Sequence, residues 1–212
     1  EPYLAASGIQ FTRNTPDMTA ASSIAASNAG NYDLHLALHS NAVGSGQQST
    51  VRGIDAYYYP ASVNGKRFAD IAANNLQLIY PLPGMVKTVP TTRLGEVARV
   101  RAPGVLIELG YHDNPLDADW IRNNINNIAE NLVLSLTEYF GIPFNMPQPI
   151  QVGYVSTEGS NLNIRSRPDI GAPIIGKIPN GSEIVIYNRL PEWDLAGYGG
   201  VMGYVSSRYV AV

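Results

Sequence analysis

One segment constrains this chain more than any other: Gly104-Val105-Leu106-Ile107-Glu108-Leu109-Gly110, an apolar run with a glutamate inside it. A continuous apolar run of this length reads as a strand buried on both faces, the pattern of a parallel sheet covered by helices. An ionised carboxylate in that setting is costly unless a cation, a metal or a set of donors meets it. Near a strand's C-terminal end it also stands where open α/β sheets place their active sites. Two readings of Glu108 follow. It is a reactive carboxylate, or a structural one that caps a loop or pairs with Arg93 or Arg101.

The flanking pattern points to the same architecture. Residues 8–13 read as a strand, and Thr15-Pro16 as the cap and first turn of a helix carrying Met18, Ala21, Ile24 and Ala25 on one face. Residues 33–39 and 53–59 are two further buried runs. Ser62 caps a helix with Phe68, Ile71, Leu76 and Ile79 on one side. Asn114-Pro115 opens another, with Ile121, Ile125, Ile128, Leu132, Leu136 and Tyr139 at steps of three and four. This alternation predicts an α/β fold, a twisted and mostly parallel sheet flanked by helices. A proline-rich stretch, 142–150, reads as a semi-rigid linker. Short β-type runs follow in 151–212, with Asn180-Gly181 as a turn, and they predict a small all-β barrel. The expected division is therefore 1–141, a linker at 142–150, and 151–212.

Composition narrows the chemistry. A net charge of −3 gives no basic footprint, so nucleic acid is not an expected partner. No stretch approaches the roughly 20 apolar residues of a membrane helix, so membrane insertion is not expected. With no cysteine in the chain, a metal would be held by His, Asp, Glu or water.

Two of the three histidines, His35 and His39, lie in one run. In a strand, positions four apart share a face but stand about 13 Å apart, too far to ligate one ion unless the strand bends. His39 is the better candidate, because Ser40-Asn41-Ala42 and Val43-Gly44-Ser45-Gly46 put it at a strand-to-loop edge. An imidazole and a carboxylate at adjacent strand ends suit a zinc site with one open position. The plainer reading is a histidine satisfied by backbone, and His35 packs rather than binds. His112, four residues after Glu108, can reach the same mouth.

Three segments carry a resemblance. Residues 33–42 (Asp-Leu-His-Leu-Ala-Leu-His-Ser-Asn-Ala) and 104–117 (Gly-Val-Leu-Ile-Glu-Leu-Gly-Tyr-His-Asp-Asn-Pro-Leu-Asp) resemble two segments of zinc-dependent N-acetylmuramoyl-L-alanine amidases. Residues 8–13 are similar to the glycine, strand and Thr-Arg that precede the first of these. The resemblance implies a Zn²⁺ cofactor, His39 as a metal ligand and Glu108 as the catalytic carboxylate. It also implies hydrolysis of the amide between N-acetylmuramic acid and L-alanine of the stem peptide, by zinc-activated water. The family carries two more ligands, a histidine and a glutamate, ahead of its Thr-Arg. Here residues 1–7 look like the tail of the family's first helix, and those ligands are expected upstream of residue 1.

The C-terminal part has its own resemblance. Residues 162–168, Ile175-Gly176-Lys177-Ile178, Gly181, Trp193 and Gly203-Tyr204-Val205 are similar to bacterial SH3-like domains appended to wall hydrolases. That likeness implies peptidoglycan as partner, with Trp193, Tyr198 and Tyr204 as candidates for stacking on sugar or peptide. The whole reads as a secreted, cell-wall-associated monomer. The rival reading is a non-catalytic peptidoglycan-binding or regulatory protein on the same fold.

Overall fold

The computed structural model describes residues 1–44, 46 and 48–212. They form two compact units, one of Glu1–Thr12 with Gly141–Val212 and one of Arg13–Phe140. The first twelve residues thus group with the C-terminal part, although the sequence pattern set them with the α/β half. They carry a short helix, α1 (Pro2–Ala6), and no strand. The strand expected at 8–13 does not form: Gly8 turns the chain with a φ of +77°, and residues 9–13 join neither sheet. Gly8 lies where an added Cβ would stand 3.0 Å from Leu195.

The Arg13–Phe140 unit is α/β. Its first helix, α2 (Ala20–Ala29), begins four residues later than the Thr15-Pro16 signal suggested. Residues 15–18 close a turn instead, with Met18 N donating to Thr15 O at 3.0 Å, and Thr19 caps the helix through a reciprocal box with Ser22. Four strands follow in the sheet order β1-β4-β2-β3: β1 (His35–Asn41), β2 (Ile54–Tyr58), β3 (Val86–Pro90) and β4 (Gly104–Tyr111). β1 runs parallel to β4 and β2 parallel to β3, while β2 and β4 are antiparallel. Three more helices and a single turn surround the sheet: α3 (Val63–Gln77), α4 (Gly95–Ala98), α5 (Pro115–Asn123) and α6 (Ile125–Phe140). Ser62 caps α3 by accepting from Gly65 N, as its position predicts. The long helix expected after Asn114 is broken at Asn124, whose side chain donates to Trp120 O at 2.8 Å.

Strand alternation divides this sheet cleanly. Ile54, Ala56, Val105 and Ile107 are fully buried on one face, beneath α3 with its buried Phe68, Ala72 and Leu76. Phe68 meets Tyr139 of α6 edge-on, ring centroids 5.5 Å apart. The other face carries Ala37, Leu106 and Tyr57 under Leu94 and Val97 of the α4 turn.

The second unit is antiparallel β. Its strands are β5 (Gln151–Val155), β6 (Leu162–Arg165), β7 (Ile174–Ile178), β8 (Glu183–Arg189), β9 (Trp193–Tyr198), β10 (Val201–Ser206) and β11 (Val210–Ala211). They follow the order β11-β5-β8-β9-β10-β6-β7, and among the described residues no pairing closes the two ends into the barrel that was expected. Val155, Leu162, Ile164, Ile178, Ile184, Ile186, Ala196 and Val205 fill its core. The proline-rich stretch belongs to this unit: Asn145 N donates to the buried Ser7 Oγ at 3.1 Å, and Asn188 Nδ2 donates to Met146 O at 2.9 Å.

Candidate active site

The register of the α/β sheet draws four titratable residues into one row. His39 pairs with Glu108 across β1–β4, Glu108 with Asp55 across β4–β2, and Asp55 with Lys87 across β2–β3. Directly opposed residues project to the same side of a sheet, so the row lies on the α4 face, one step beyond the apolar row of Ala37, Leu106 and Tyr57.

Glu108 sits in this row with Oε2 buried and without a hydrogen-bond partner. Burial pushes its carboxyl up from the ordinary glutamate value, the neighbouring Asp55 adds to that, and His39 and His112 oppose it. No ion pair joins Glu108 to an arginine among the described residues, and Arg101 instead donates its guanidinium to Asn28 O at 3.1 Å. The structural alternative for Glu108 thereby loses one of its named partners. Asp55 accepts from Tyr57 OH at 3.3 Å. Burial, with Asp55 beside it, pushes the Tyr57 phenol up to about 12.

His39 is half-exposed, and its Nε2 lies 3.0 Å from Oε2 of Glu96, whose side chain is only 8% exposed. The other Glu96 oxygen is 3.8 Å from His35 Nε2. One carboxylate therefore spans the two histidines that share a strand face four residues apart. The His35 side chain is 11% exposed, its buried Nε2 has no hydrogen-bond partner, and burial lowers its pKa against the pull of Glu96. Sequence reading missed Glu96, because a single helical turn has no periodicity to announce it. Its only signal was a carboxylate between the apolar Leu94 and Val97.

His112 packs against the C-terminal end of β1. Its backbone N–H donates to Asn41 O at 2.9 Å, and its Nδ1 lies 3.0 Å from Ser40 Oγ and 3.1 Å from Ser40 O. A cleft of about 610 Å³ opens beside it, lined among others by Ala42, Gly44, Gln48, Asp113 and Arg122. Ser45, part of the loop that marked His39 as a strand-edge residue, lies outside the described residues.

The rim is held by Asp117, which is fully buried. It accepts from Arg52 Nε and Tyr80 OH at 2.7 Å each, from Tyr111 N at 3.1 Å and from Gly53 N at 3.2 Å. Burial alone would raise its pKa, but these four hydrogen bonds outweigh burial and hold it below the ordinary aspartate value. Gly110, with φ of +116°, turns β4 over this carboxylate, and an added Cβ would stand 3.2 Å from it.

A divalent ion would find part of a shell here. His39 can offer its other ring nitrogen, and Glu108 has an orphaned buried oxygen on the neighbouring strand. Among the described residues no three His, Cys, Asp or Glu side chains are grouped so as to hold one ion, whereas a catalytic zinc normally has three protein ligands. The donor chemistry fits at His39, and the shell is incomplete.

In the β unit, Trp193 and Tyr198 are half-buried at the two ends of β9. Tyr204 is only 2% exposed and its hydroxyl lies 3.5 Å from Ser7 O, so it is a core residue and presents no ring face to a ligand. Tyr154 and Val152 are about half exposed on β5 and more available than Tyr204.

The chain is thus a two-part protein, an α/β unit with an imidazole and a strand carboxylate on one sheet face, joined in sequence to an antiparallel β unit. Residues 3–138 match the N-acetylmuramoyl-L-alanine amidase family, and residues 160–211 match the bacterial SH3 domain. The chain belongs to the N-acetylmuramoyl-L-alanine amidase family and carries a bacterial SH3 domain. Members of that family are generally zinc-dependent. No curated protein matches the sequence.

Solved structures share the fold. An N-acetylmuramoyl-L-alanine amidase from Clostridium difficile 630 matches at 18% identity with a TM-score of 0.51, over 58% of this chain and 66% of that one. The CwlD amidase from Clostridioides difficile, solved in complex with the GerS lipoprotein, matches at 17% and 0.52, over 57% and 61%. The catalytic domain of CwlV, an amidase from Bacillus (Paenibacillus) polymyxa var. colistinus, matches at 20% and 0.50, over 59% and 68%. The chain spans less than two thirds of the first two relatives.

Proposed function

We propose that this protein is a secreted peptidoglycan hydrolase that cleaves the amide between N-acetylmuramic acid and the L-alanine of the stem peptide, with zinc as cofactor. The observation that carries the reading is the pairing of His39 with Glu108 on neighbouring parallel strands, on one face and at one sheet edge. Family membership supports the reaction class, and the bacterial SH3 domain supports peptidoglycan as the polymer engaged.

The chain's own residues have definable tasks. His39 would hold the metal, and zinc, when bound, would supply a Lewis acid that polarises the amide carbonyl and acidifies water. Glu108 takes the proton of the attacking water as its oxygen bonds to the carbonyl carbon. It then returns a proton to the alanine nitrogen as the C–N bond breaks, leaving a lactyl carboxylate and a free amine. A carboxyl raised by burial suits that return step, because it holds the proton at a pH where an ordinary glutamate would have lost it. Asp55, directly across from Glu108, carries the charge that reinforces this.

The bacterial SH3 domain also supports a second reading, a wall-binding protein without turnover. Mass spectrometry of purified peptidoglycan incubated with the protein and zinc separates the two. The amidase reading expects stem peptides with a free L-alanine amino terminus and intact glycan strands. Binding to sacculi with no new L-alanine termini would establish the second reading.

A further inference from the structure

We infer that Glu96 is a positioning residue for His39: its buried carboxylate grips the Nε2 edge of the imidazole and turns Nδ1 toward the mouth that His39 shares with Glu108. The inference deepens the proposed amidase reading and rests on it for its functional meaning, but its geometry is independent of any metal.

Four observations carry it. The Nε2···Oε2 distance of 3.0 Å is that of a hydrogen bond, and a carboxylate oxygen only accepts, so Nε2 carries the hydrogen. The two ring nitrogens point in diverging directions, which leaves Nδ1 facing away from Glu96 with its lone pair free to act as ligand or acceptor. The Glu96 side chain is 8% exposed and its second oxygen faces His35 at 3.8 Å, so the carboxylate is lodged between two rings. The turn that bears it lies flush on β4. A Cβ at Gly104 would stand 2.8 Å from Glu96 O and 2.9 Å from Val97 O, and Val97 itself is buried in the cluster with Ala37 and Leu106.

This is the arrangement by which proteins orient a metal-binding histidine: the nitrogen not used for the ion is donated to a carboxylate, which fixes tautomer and ring rotation. Unlike the row that Glu108 and Asp55 share, the Glu96 contact approaches His39 from the covering turn rather than from the sheet. His35 completes the clamp as the second ring against the same carboxylate.

The test uses the full chain, metal-free, with histidine labelled by ¹⁵N, and reads the His39 tautomer from long-range ¹H–¹⁵N correlation at pH 8. The inference expects the Nε2–H form in the wild-type protein, its retention in Glu96→Gln, whose amide oxygen still accepts, and a mixture of tautomers in Glu96→Ala. Far-ultraviolet circular dichroism confirms that each variant is folded. A wild-type His39 protonated at Nδ1, or a folded Glu96→Ala with unchanged tautomer, overturns the inference. The wild-type spectrum decides the matter even if Glu96→Ala does not fold. Zinc affinity by chelator competition gives a second readout: a fall of roughly 10–100-fold in Glu96→Ala, with little change in Glu96→Gln. Equal affinity in wild type and Glu96→Ala also overturns it. Tautomers and affinities that follow expectation, with no L-alanine termini released by the wild type, would sink the amidase reading and leave Glu96 in its role.

Discussion

Removing the Asp117 carboxylate should be the most damaging single truncation in the rim. In Asp117→Ala the Arg52 guanidinium, whose side chain is 17% exposed, loses its partner, and the Tyr80 hydroxyl, Gly53 N and Tyr111 N lose their acceptor. Each buried donor left unsatisfied costs about 1–3 kcal/mol, and breaking a buried ion pair costs about 3–5 kcal/mol. These overlap, because Arg52 can turn outward to water, so about 4 kcal/mol is a fair expectation. With a urea dependence of about 2 kcal/mol per M, the midpoint falls by about 2 M. The chain has two tryptophans, Trp120 in the α/β unit and Trp193 in the β unit. Urea unfolding is therefore followed by Trp120 fluorescence in a Trp193→Phe background. Trp120 meets Tyr80 edge-on at 4.9 Å, close to the lesion. Asp119→Ala, which removes only an exposed i,i+3 partner of Arg122, serves as control and should change stability by less than about 1 kcal/mol. The pH dependence has a definite sign. Asp117 is held below its unfolded value, so its contribution is present above the ordinary aspartate range and is lost as pH falls through the folded value. Asp117→Ala should accordingly lose part of the acid-side slope. A midpoint shift under about 0.5 M would refute the assignment of Asp117 as the rim's anchor.

Three other outcomes follow from the same geometry. The Glu108 carboxyl is raised in the fold, so its stabilising share is present below the unfolded value and is lost as pH rises through the folded one. Glu108→Gln should thus be less sensitive than wild type to pH above the ordinary glutamate range, measured by thermal unfolding of the α/β unit. Phe68→Ala empties a fully buried site between α3 and Tyr139 and should cost about 3–5 kcal/mol in urea unfolding. Gly104→Ala would drive a methyl into Glu96 O and Val97 O, lifting the Glu96 turn; weaker zinc binding with the sheet's circular dichroism preserved is the expected result.

Much of the sheet was legible because buried strands announce themselves. The runs at 33–39, 53–59 and 104–110 contain or overlap β1, β2 and β4, and Ser62 and Asn114 cap the helices they were expected to cap. The short elements were not legible. β3 reads as Val-Lys-Thr-Val-Pro, too short and too polar for a periodicity argument, and α4 is a single turn. The break between α5 and α6 is hidden because the apolar period runs straight through Asn124. The packing of the N-terminal segment was not legible because its partners, Asn145, Asn188 and Tyr204, lie more than 130 residues away in sequence. The site shows the same division. Glu108 and His39 stood out as polar residues in apolar strands. Glu96, Asp55 and Asp117 gain their meaning only from register and packing, which one strand at a time cannot reveal.

The rate at which L-alanine amino termini are released from purified peptidoglycan by wild type and Glu108→Gln, both zinc-supplemented and both shown to be folded, bears most directly on the central claim. The account predicts steady release by the wild type and a loss of at least about 100-fold in Glu108→Gln, the scale of a general acid–base group. Release at comparable rates by the two proteins would contradict it, because proton transfer would then not pass through the carboxylate that β4 sets beside His39.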